Sequence, residues 1–568
     1  MRKFLQINNK GRFSNFDFVC MGLGLLAFIF YYGEVWKNSF NIPRWDDYNV
    51  FFGWLKEYLD SQSVGEKFKL LFAPHGETEH IMAPMRLIVL CNYYLSGTVN
   101  LLPVIVIGNL FWIGIAAMFC LYIKSKKEMP VFVLFVILLM FNGQNLETCT
   151  WAISSIVNIS PIFFGMMSIL LIFSNKTRLM YILGLIIAVI TVFSNGNGLC
   201  IIPAIAVGLW SQGRSKEALI VSSVLVLAGV GYFLSMNTSV GTKMVFFELL
   251  RNPVKPLVSF FSFVGAIFYI PSKQWIPVLV GLFVVGTYVY GIIREYHINN
   301  PLWFSFFTFM LCTAALVAIG RPSGMIAPLR YRTYISMFPI LTLLFFFDYR
   351  DNMIIRKVVR YILPVPVLLY SVFCTFLYAQ KAEKRTEYLK LSTLNWQLHG
   401  NGLFHGSTNS GTAELSWAEA SGIYKMPVMP FSQLDYPICN NAIFSDKNSQ
   451  IKYNISSIEE NNGYYIIKGF AYIEHANMDF TDIYLYLISP TDTIRLKPFA
   501  ERHYDLLEPS ESLSSRSLSI CENSGFCAIL NKPDIPCGTY SLGIEICKRM
   551  IVPLNRTYSI TTDTLFYF

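Results

Sequence analysis

Long apolar blocks separated by short polar loops fill the first 380 residues of this 568-residue sequence, and they limit the folds open to it. A run of about 20 apolar residues is long enough to cross a lipid bilayer as a helix. Charged residues make up 14% of the chain, against roughly 25% in soluble domains. After Tyr378 the composition becomes mixed and strand-like. The sequence therefore predicts a mainly α-helical polytopic membrane domain followed by a water-facing β domain.

Eleven apolar blocks are candidate spans, and the basic loops between them indicate their orientation. The blocks are centred on residues 16–34, 101–123, 130–142, 157–174, 179–194, 198–211, 218–236, 276–293, 302–320, 334–347 and 360–378. The first is too long for a signal peptide and no cleavage site follows it. Lysine and arginine cluster at the N-terminus and near residues 124–127, 176–178, 214–216 and 350–360, so these segments are predicted to be cytoplasmic. The net charge of +9 is thus interpreted as topology, with no nucleic-acid partner.

One further apolar block, residues 257–270, is predicted not to cross the membrane. Counting it as a span would place the basic 350–360 loop outside, and prolines at 253, 256 and 271 favour a re-entrant or interfacial helix. The same parity places the loop 35–100, the segment 320–333 and the C-terminal domain on the outer face. Most polar motifs then share one side.

The first motif, Arg44-Trp45-Asp46-Asp47-Tyr48, follows the first span. Paired carboxylates can raise the pKa of one member and provide a general base. Asp46 and Asp47 are therefore candidate catalytic residues. The alternative is a solvated acidic loop with Trp45 as an interfacial anchor.

The same loop carries histidines and acids between residues 74 and 80. A hydrogen-bonding role at a polar ligand is predicted for Glu79, His80 and Arg86. A divalent metal held by His75, Glu77 and His80 is the alternative, and the glycine and prolines nearby argue against a rigid ligand set.

Three more segments at predicted outer ends of spans are rich in amides or arginines: 142–147, 194–198 and 320–332. Polar breaks between apolar helices are tolerated where they line a cavity or reach water. Arginine matches phosphate geometry well, although anchoring to lipid headgroups is the alternative. The candidate binding residues here are Glu147, Asn195, Asn197, Arg321, Arg330, Tyr331 and Arg332.

These motifs together resemble the GT-C glycosyltransferases, multi-span enzymes that use polyprenyl-phosphate sugars. The acidic WDDY resembles the motif in their first external loop. Glu79-His80 followed by Arg86-Leu87, the string SNGNGL and the string GR…RY resemble uncharacterised bacterial members, and the resemblance covers about residues 1–430. Close relatives usually carry an arginine where this chain has Ile81, which leaves a phosphate contact there open.

The resemblance implies an inverting sugar transfer from a polyprenyl-phosphate donor to a glycan or lipid acceptor of the cell envelope, at the outer face of the bacterial cytoplasmic membrane. Asp46 or Asp47 would deprotonate the acceptor hydroxyl, and Arg321, Arg330 or Arg332 would stabilise the departing phosphate. No cofactor is predicted, and a divalent metal stays an alternative. The partners implied are the donor, the acceptor and membrane lipids.

The C-terminal part is predicted to be a linker over residues 381–445 and an extracytoplasmic β-sandwich over 446–568, after a catalytic domain over 1–380. Strand-like runs cover 464–473, 482–488, 525–530 and 539–546. If this domain lies outside the cell, the spacing is compatible with two local disulfides, Cys521–Cys527 and Cys537–Cys547. Glycan binding by tail aromatics and simple core packing both stay open.

Two alternatives to an enzyme stay open: a transporter or flippase of lipid-linked saccharides, and a non-catalytic glycan-binding scaffold. Mid-span charges or inverted repeats would favour transport, and the sequence shows neither. It also contains no P-loop, dinucleotide fingerprint or nucleophile elbow.

Overall fold

The chain divides into two compact units. In a computed structural model, the described residues are 14–74, 80–123, 127–174, 177–235, 252, 254–268, 273, 275–320, 329–348, 353–400, 403, 411–427, 451–461, 463–473, 482–490, 493–501, 524–532, 535–536, 538–546, 549–551 and 560–561. The first unit comprises Met1–Ala379 with Ala413–Lys425, and the second Gln380–Thr412 with Met426–Phe568. The segment expected to be a linker is therefore shared between them.

The first unit is α-helical. The helices described along the chain are α1 (Asn15–Lys37), α2 (Trp54–Asp60), α3 (Val64–Phe72), α4 (Ala83–Ser96), α5 (Leu101–Tyr122), α6 (Met129–Met140), α7 (Leu146–Cys149), α8 (Ala152–Val157), α9 (Ser160–Phe173), α10 (Arg178–Val192), α11 (Ile201–Ser211), α12 (Ser215–Ser235), α13 (Val254–Val264), α14 (Trp275–Ile293), α15 (Tyr296–Asn299), α16 (Pro301–Gly320), α17 (Arg332–Asp348), α18 (Met353–Lys357), α19 (Pro364–His399) and α20 (Thr412–Ala420). Helix α19 continues from the first unit into the second.

Seven helical segments within the described residues are long and apolar enough to cross a membrane. They are Asn15–Lys37, Leu101–Tyr122, Ala152–Phe173, Ser215–Ser235, Trp275–Ile293, Pro301–Gly320 and Ile354–Gln397. Helix α6 and the following Gly143–Cys149 segment make an eighth if a pair bent by 47° is one span. Among the other blocks predicted as spans, residues 179–194, 198–211 and 334–347 fall in shorter helices. Polar breaks at both ends of α10 and α11 explain their shortness.

Helix α1 shows how these helices form. It begins at a capping box, in which Ser14 and Asp17 satisfy each other's backbone N–H groups. Gly24 lies on the packed face, and a Cβ there would come within 3.1 Å of Ile137 in α6. Leu25 and Leu26 lie on an outward face and are 59% and 66% exposed. Exposure of large apolar side chains along a helix is the pattern expected of a lipid-facing surface.

A buried charge network joins three segments at one end of the unit. The Arg360 guanidinium donates to Asp17 at 2.7 Å and to Glu128 at 2.5 Å, and Arg356 donates to the other Glu128 oxygen at 2.6 Å. All three segments carry the basic residues from which the sequence analysis assigned one common side.

Helix α13 occupies the apolar block predicted not to cross. Its 11 residues span about 16 Å at 1.5 Å per residue, roughly half of the ~30 Å hydrocarbon core. Gly265 just after it and Gly281 in α14 meet closely, because a Cβ at Gly281 would lie 1.9 Å from the Phe261 carbonyl oxygen. Because glycine has no side chain, the backbone at the end of α13 contacts the backbone of α14 at these positions.

The second unit contains two antiparallel sheets. The strands described are β1 (Ile451–Asn461), β2 (Tyr464–Ile473), β3 (Ile483–Ile488), β4 (Thr493–Leu496), β5 (Phe499–Glu501), β6 (Gly525–Asn531), β7 (Thr539–Ile546), β8 (Arg549–Ile551) and β9 (Ile560–Thr561). One sheet has the order β1-β2-β6-β5 and the other β4-β3-β7-β8, with β9 also paired to β7. Alternate residues of both sheets form one core, which includes Ile467, Phe526, Leu485 and Ile544.

The outer side of the first sheet packs on the C-terminal part of α19. Leu391 and Leu394 form a small core there with Ile466, Cys527 and Ile529. Cys527 is buried and free, so the Cys521–Cys527 disulfide that the spacing allowed is not formed. The Cys527 side chain packs as an apolar group in this core, which α19 covers. Residues 521, 537 and 547 lie outside the described residues.

Candidate functional site

The loop after α1 holds the acidic pair in two different environments. Trp45 adopts a left-handed backbone conformation with φ 51°, which is uncommon for a non-glycine residue. Asp47, 1% exposed, turns inward and accepts the backbone N–H of Arg44 at 3.0 Å and that of Ile153 at 3.2 Å. The side chain of Asp46 is 49% exposed. Only Asp46 therefore presents its carboxylate to an incoming molecule.

Burial changes the acidity of Asp47. Desolvation is the largest cause and raises the pKa of Asp47 to about 7, while the Arg44 N–H, the Arg44 charge and the Ile153 N–H pull it downward. The carboxyl is nonetheless committed to two backbone donors. We therefore assign Asp47 to holding the loop in place.

Arg44 fastens this loop to the segment between α6 and α8. Its Nη2 donates to the carbonyl oxygen of Glu147 at 3.3 Å, and its guanidinium carbon lies 5.1 Å from the ring centroid of Trp151. A cation–π contact of this kind stabilises a buried arginine. Arg44 is only 4% exposed. We therefore assign it to positioning the loop and not to contact with a ligand.

The segment Asn142–Trp151 interrupts the helix, because side-chain amides bind the backbone groups that would otherwise continue the helical hydrogen bonds. The Asn142 amide donates to the carbonyls of Leu138 and Leu139, and its oxygen accepts the Gln144 N–H at 3.0 Å. Asn145 donates to the Met140 carbonyl at 2.8 Å. These bonds end α6 and turn the chain, which brings Glu147, partly exposed, to the loop after α1.

Arg330 meets Asp46 from the turn before α17. The nearest guanidinium nitrogen lies 4.0 Å from Asp46 Oδ2, and the Arg330 side chain is 33% exposed. The carbonyl oxygen of Arg330 accepts the hydroxyl of Thr148 at 3.2 Å. Three distant segments, predicted separately as polar motifs, thus converge on one carboxylate–guanidinium pair.

The Ser194–Gly198 turn forms a second part of the same end and holds His80. A Cβ on Gly196 would lie 2.9 Å from His80 Nδ1, so the turn approaches the imidazole at a distance only glycine permits. The Ala83 N–H donates to the Phe193 carbonyl at 3.0 Å, which anchors the residues after His80 to the turn. Tyr334 lies near both Asn195 and Asn197, and its ring centroid is 6.1 Å from that of Tyr331.

Two predicted binding arginines are used in packing. Arg86 Nη1 donates to the carbonyls of Leu70, Leu71 and Ala73, which end helix α3. Arg332, 3% exposed, donates to the Ala266 carbonyl just after α13 at 2.6 Å. These contacts give both residues a structural role and leave Arg330 as the half-exposed guanidinium at Asp46.

Four candidates, Glu79, Arg321, His75 and Glu77, lie outside the described residues. Within the described part of the chain, no group of three histidine, cysteine, aspartate or glutamate side chains is arranged to hold a metal ion.

The sequence analysis did not identify three residues of the site: Arg44, Thr148 and Tyr334. Arg44 stands directly before the acidic pair, and its position was a usable signal. Thr148 and Tyr334 carry no local signal, because their roles depend on contacts between distant segments.

The pair of Asp46 and Arg330 offers a carboxylate that can accept a proton from a hydroxyl and a guanidinium that can pair with phosphate. Around it stand aromatic and amide side chains at the end of an apolar helical unit. Comparison of the chain with protein-family models, curated proteins and solved structures gives no match.

Proposed function

We propose that this chain is a membrane glycosyltransferase of the GT-C type, which transfers a sugar from a polyprenyl-phosphate donor to a glycan or lipid acceptor with inversion. The observation that carries the proposal is the meeting of Asp46 with Arg330, both partly exposed, at 4.0 Å. Base and phosphate binder are the two groups that this reaction requires, and they come from segments far apart in sequence.

Asp46 is the general base in this mechanism. It takes the proton of the acceptor hydroxyl as the oxygen attacks the anomeric carbon, and the bond from that carbon to the phosphate oxygen breaks. Arg330 stabilises the charge on the departing lipid phosphate. A phosphate leaves without protonation, so no second acid opposite the base is needed.

Substrate entry must separate the pair. An acceptor oxygen, the anomeric carbon and a phosphate oxygen have to fit in line between the two groups, and 4.0 Å is too short for them. Both side chains are partly in water, where an ion pair contributes little. A phosphate anion therefore displaces Asp46 from Arg330 at little cost and frees the carboxylate for the acceptor.

The proposed enzyme crosses the bacterial cytoplasmic membrane about eleven times, with a cytoplasmic N-terminus and an extracytoplasmic C-terminal β-sandwich. The contacts of Arg360 with Asp17 and Glu128 support the topology, because they join three segments that the basic residues assign to the cytoplasm. One core shared by two sheets supports the sandwich.

The test is sugar transfer from a polyprenyl-phosphate donor by the purified full-length chain. We expect Asp46→Asn to lower the rate by about 10²–10⁴-fold, the usual contribution of a general base, and Arg330→Gln to lower it by about 10²-fold or more. Asp60→Asn is the matched control, because Asp60 also pairs with a cation, Lys56 at 2.8 Å, but on the exposed surface. Full activity of Asp46→Asn would refute the mechanism.

A transporter or a scaffold would give a different result. Lipid-linked saccharide would then reach the other leaflet, or bind, in wild type and Asp46→Asn alike, and no new glycosidic bond would form in either. Thin-layer separation of the lipid products distinguishes these outcomes.

A further inference from the structure

The two asparagines of the Ser194–Gly198 turn have opposite hydrogen-bonding states. Asn195 is committed: its amide nitrogen donates to the Val157 carbonyl at 3.3 Å and its oxygen accepts the Gly196 N–H at 2.7 Å. Asn197 is enclosed, and neither its amide oxygen nor its amide nitrogen has a hydrogen-bond partner among the described residues. The Tyr334 hydroxyl lies near both asparagine side chains.

A buried amide with both polar atoms unpaired is costly, and folded proteins rarely retain one without a purpose. Other buried side-chain atoms of the first unit also lack a hydrogen-bond partner. Within the described residues, they include Trp151 Nε1, Asn145 Oδ1 and Thr333 Oγ1, each on a side chain no more than 6% exposed. A polar ligand at Asn197 would satisfy both unpaired atoms of this amide.

The chemistry of Asn197 selects the kind of ligand. A hydroxyl donates to the amide oxygen and accepts from the amide nitrogen, so it satisfies both atoms. A phosphate only accepts hydrogen bonds, and its oxygens would leave the amide oxygen unpaired and repelled. The hydrogen-bonding chemistry of Asn197 therefore fits hydroxyl groups better than phosphate.

We propose that Asn197 is a specificity-determining residue that binds hydroxyl groups of a saccharide, beside the Ser194–Gly198 turn, His80 and Tyr334. This inference rests on the proposed function, because it assigns the sugar-binding part of that same site. His80 packs against Gly196, where its imidazole fills the space that a Cβ would need.

The first experiment measures binding without transfer. A panel of methyl glycosides is added to the full-length protein in detergent, and the midpoint of thermal unfolding is followed. We expect at least one glycoside to raise the midpoint of wild type and of Asp46→Asn. In Asn197→Leu the same glycoside should bind at least about tenfold more weakly, which is the loss expected from one or two hydrogen bonds to hydroxyls.

A second measurement separates recognition from folding. Leucine is close to asparagine in size, so Asn197→Leu removes two unpaired polar atoms and should leave the unfolding midpoint of the free protein unchanged or raise it. The matched control is Asn195→Leu, which breaks two hydrogen bonds in the same turn and should lower the midpoint.

Three results would overturn the inference: no glycoside stabilises wild type, the stabilisation persists in Asn197→Leu, or Asn197→Leu is as unstable as Asn195→Leu. Failure of the proposed function is recognised separately. If Asp46→Asn keeps full transfer activity, the mechanism at Asp46 is wrong, whereas the glycoside measurement still decides the role of Asn197.

Discussion

Neighbouring carboxylates take different roles when one faces water and the other faces backbone donors. Asp46 is partly exposed opposite Arg330, whereas Asp47 is buried and holds two N–H groups from different segments. Losing Asp47 would release the loop that carries Asp46. The exposed acid depends on the buried one for its position.

Asp47→Asn should lower the stability of the protein at acidic pH and flatten the dependence of stability on pH. An asparagine oxygen replaces one of the two acceptors, which costs about 1–3 kcal/mol. Burial raises the pKa of Asp47 to about 7 from 3.8, so the folded state binds the proton more tightly than the unfolded state. The contribution of this proton to the free energy of unfolding is complete below pH 4. It is lost as the pH rises through 7.

Thermal unfolding at pH 5 and pH 8 measures this effect. The wild-type midpoint should fall more between the two values than that of Asp47→Asn, and Asp60→Asn should behave as wild type. An equal fall in wild type and Asp47→Asn would show that Asp47 does not bind a proton over this interval.

Among the helices, α13 and α14 depend on glycine at their crossing. A Cβ at Gly281 would lie 1.9 Å from the Phe261 carbonyl oxygen, whereas a Cβ at Gly286, in the same helix, meets no atom within 4 Å. Small residues at such crossings let membrane helices approach closely. The Ala266 carbonyl that Arg332 binds follows directly after α13, so this packing supports the start of α17.

Gly281→Ala should therefore destabilise the protein, by an amount typical of overpacking, about 1–3 kcal/mol. Gly286→Ala should be neutral or slightly stabilising, because alanine is the better helix former. Unfolding of both variants in mixed micelles gives the comparison. Equal stability of the two would mean that α13 does not pack on α14 through Gly281.

The elements that could be predicted are those with a local signal. The strand-like runs at 464–473, 482–488, 525–530 and 539–546 correspond to β2, β3, β6 and β7, because alternation is visible within each run. Strand β1 was missed, since its polar residues hide the pattern. Span number is harder still, because the helices beside the breaks at 142–151 and 194–200 are short or bent, and composition alone does not show whether each one crosses.

Part of the candidate site was also predictable. The topology predicted from the sequence puts acids, amides and arginines on one side, and the structure brings the segments of Asp46, Glu147 and Arg330 together. Arg86 and Arg332 carry the same local signal as Arg330. Only tertiary contacts with backbone carbonyls distinguish the packing arginines from the half-exposed one, and sequence spacing does not contain those contacts.

At the scale of the molecule, a buried charge network joins the segments that the sequence analysis assigned to the cytoplasm. Glu128 is 1% exposed and accepts from both Arg356 and Arg360. Removing one member of a buried pair leaves a desolvated charge without compensation, which costs about 3–5 kcal/mol. The network ties the start of α1 to the segments before α6 and α19.

Glu128→Gln should therefore be strongly destabilising in unfolding measurements in mixed micelles. Glu217→Gln is the matched control, because Glu217 pairs with Arg214 at 2.5 Å while its side chain is 42% exposed. An exposed pair contributes about 0–1 kcal/mol, so this variant should stay close to wild type. Comparable losses in both would show that burial does not strengthen the network.

Orientation decides whether the proposed donor can reach the site. Asp60, in the loop that carries Asp46, and Lys357, beside the charge network, are both exposed, and the proposed topology places them on opposite sides of the membrane. In a cysteine-free background, a membrane-impermeant maleimide should label Asp60→Cys in intact spheroplasts, and Lys357→Cys only after permeabilisation. The reverse pattern would place Asp46 and Arg330 in the cytoplasm and remove the case for a donor presented at the outer face.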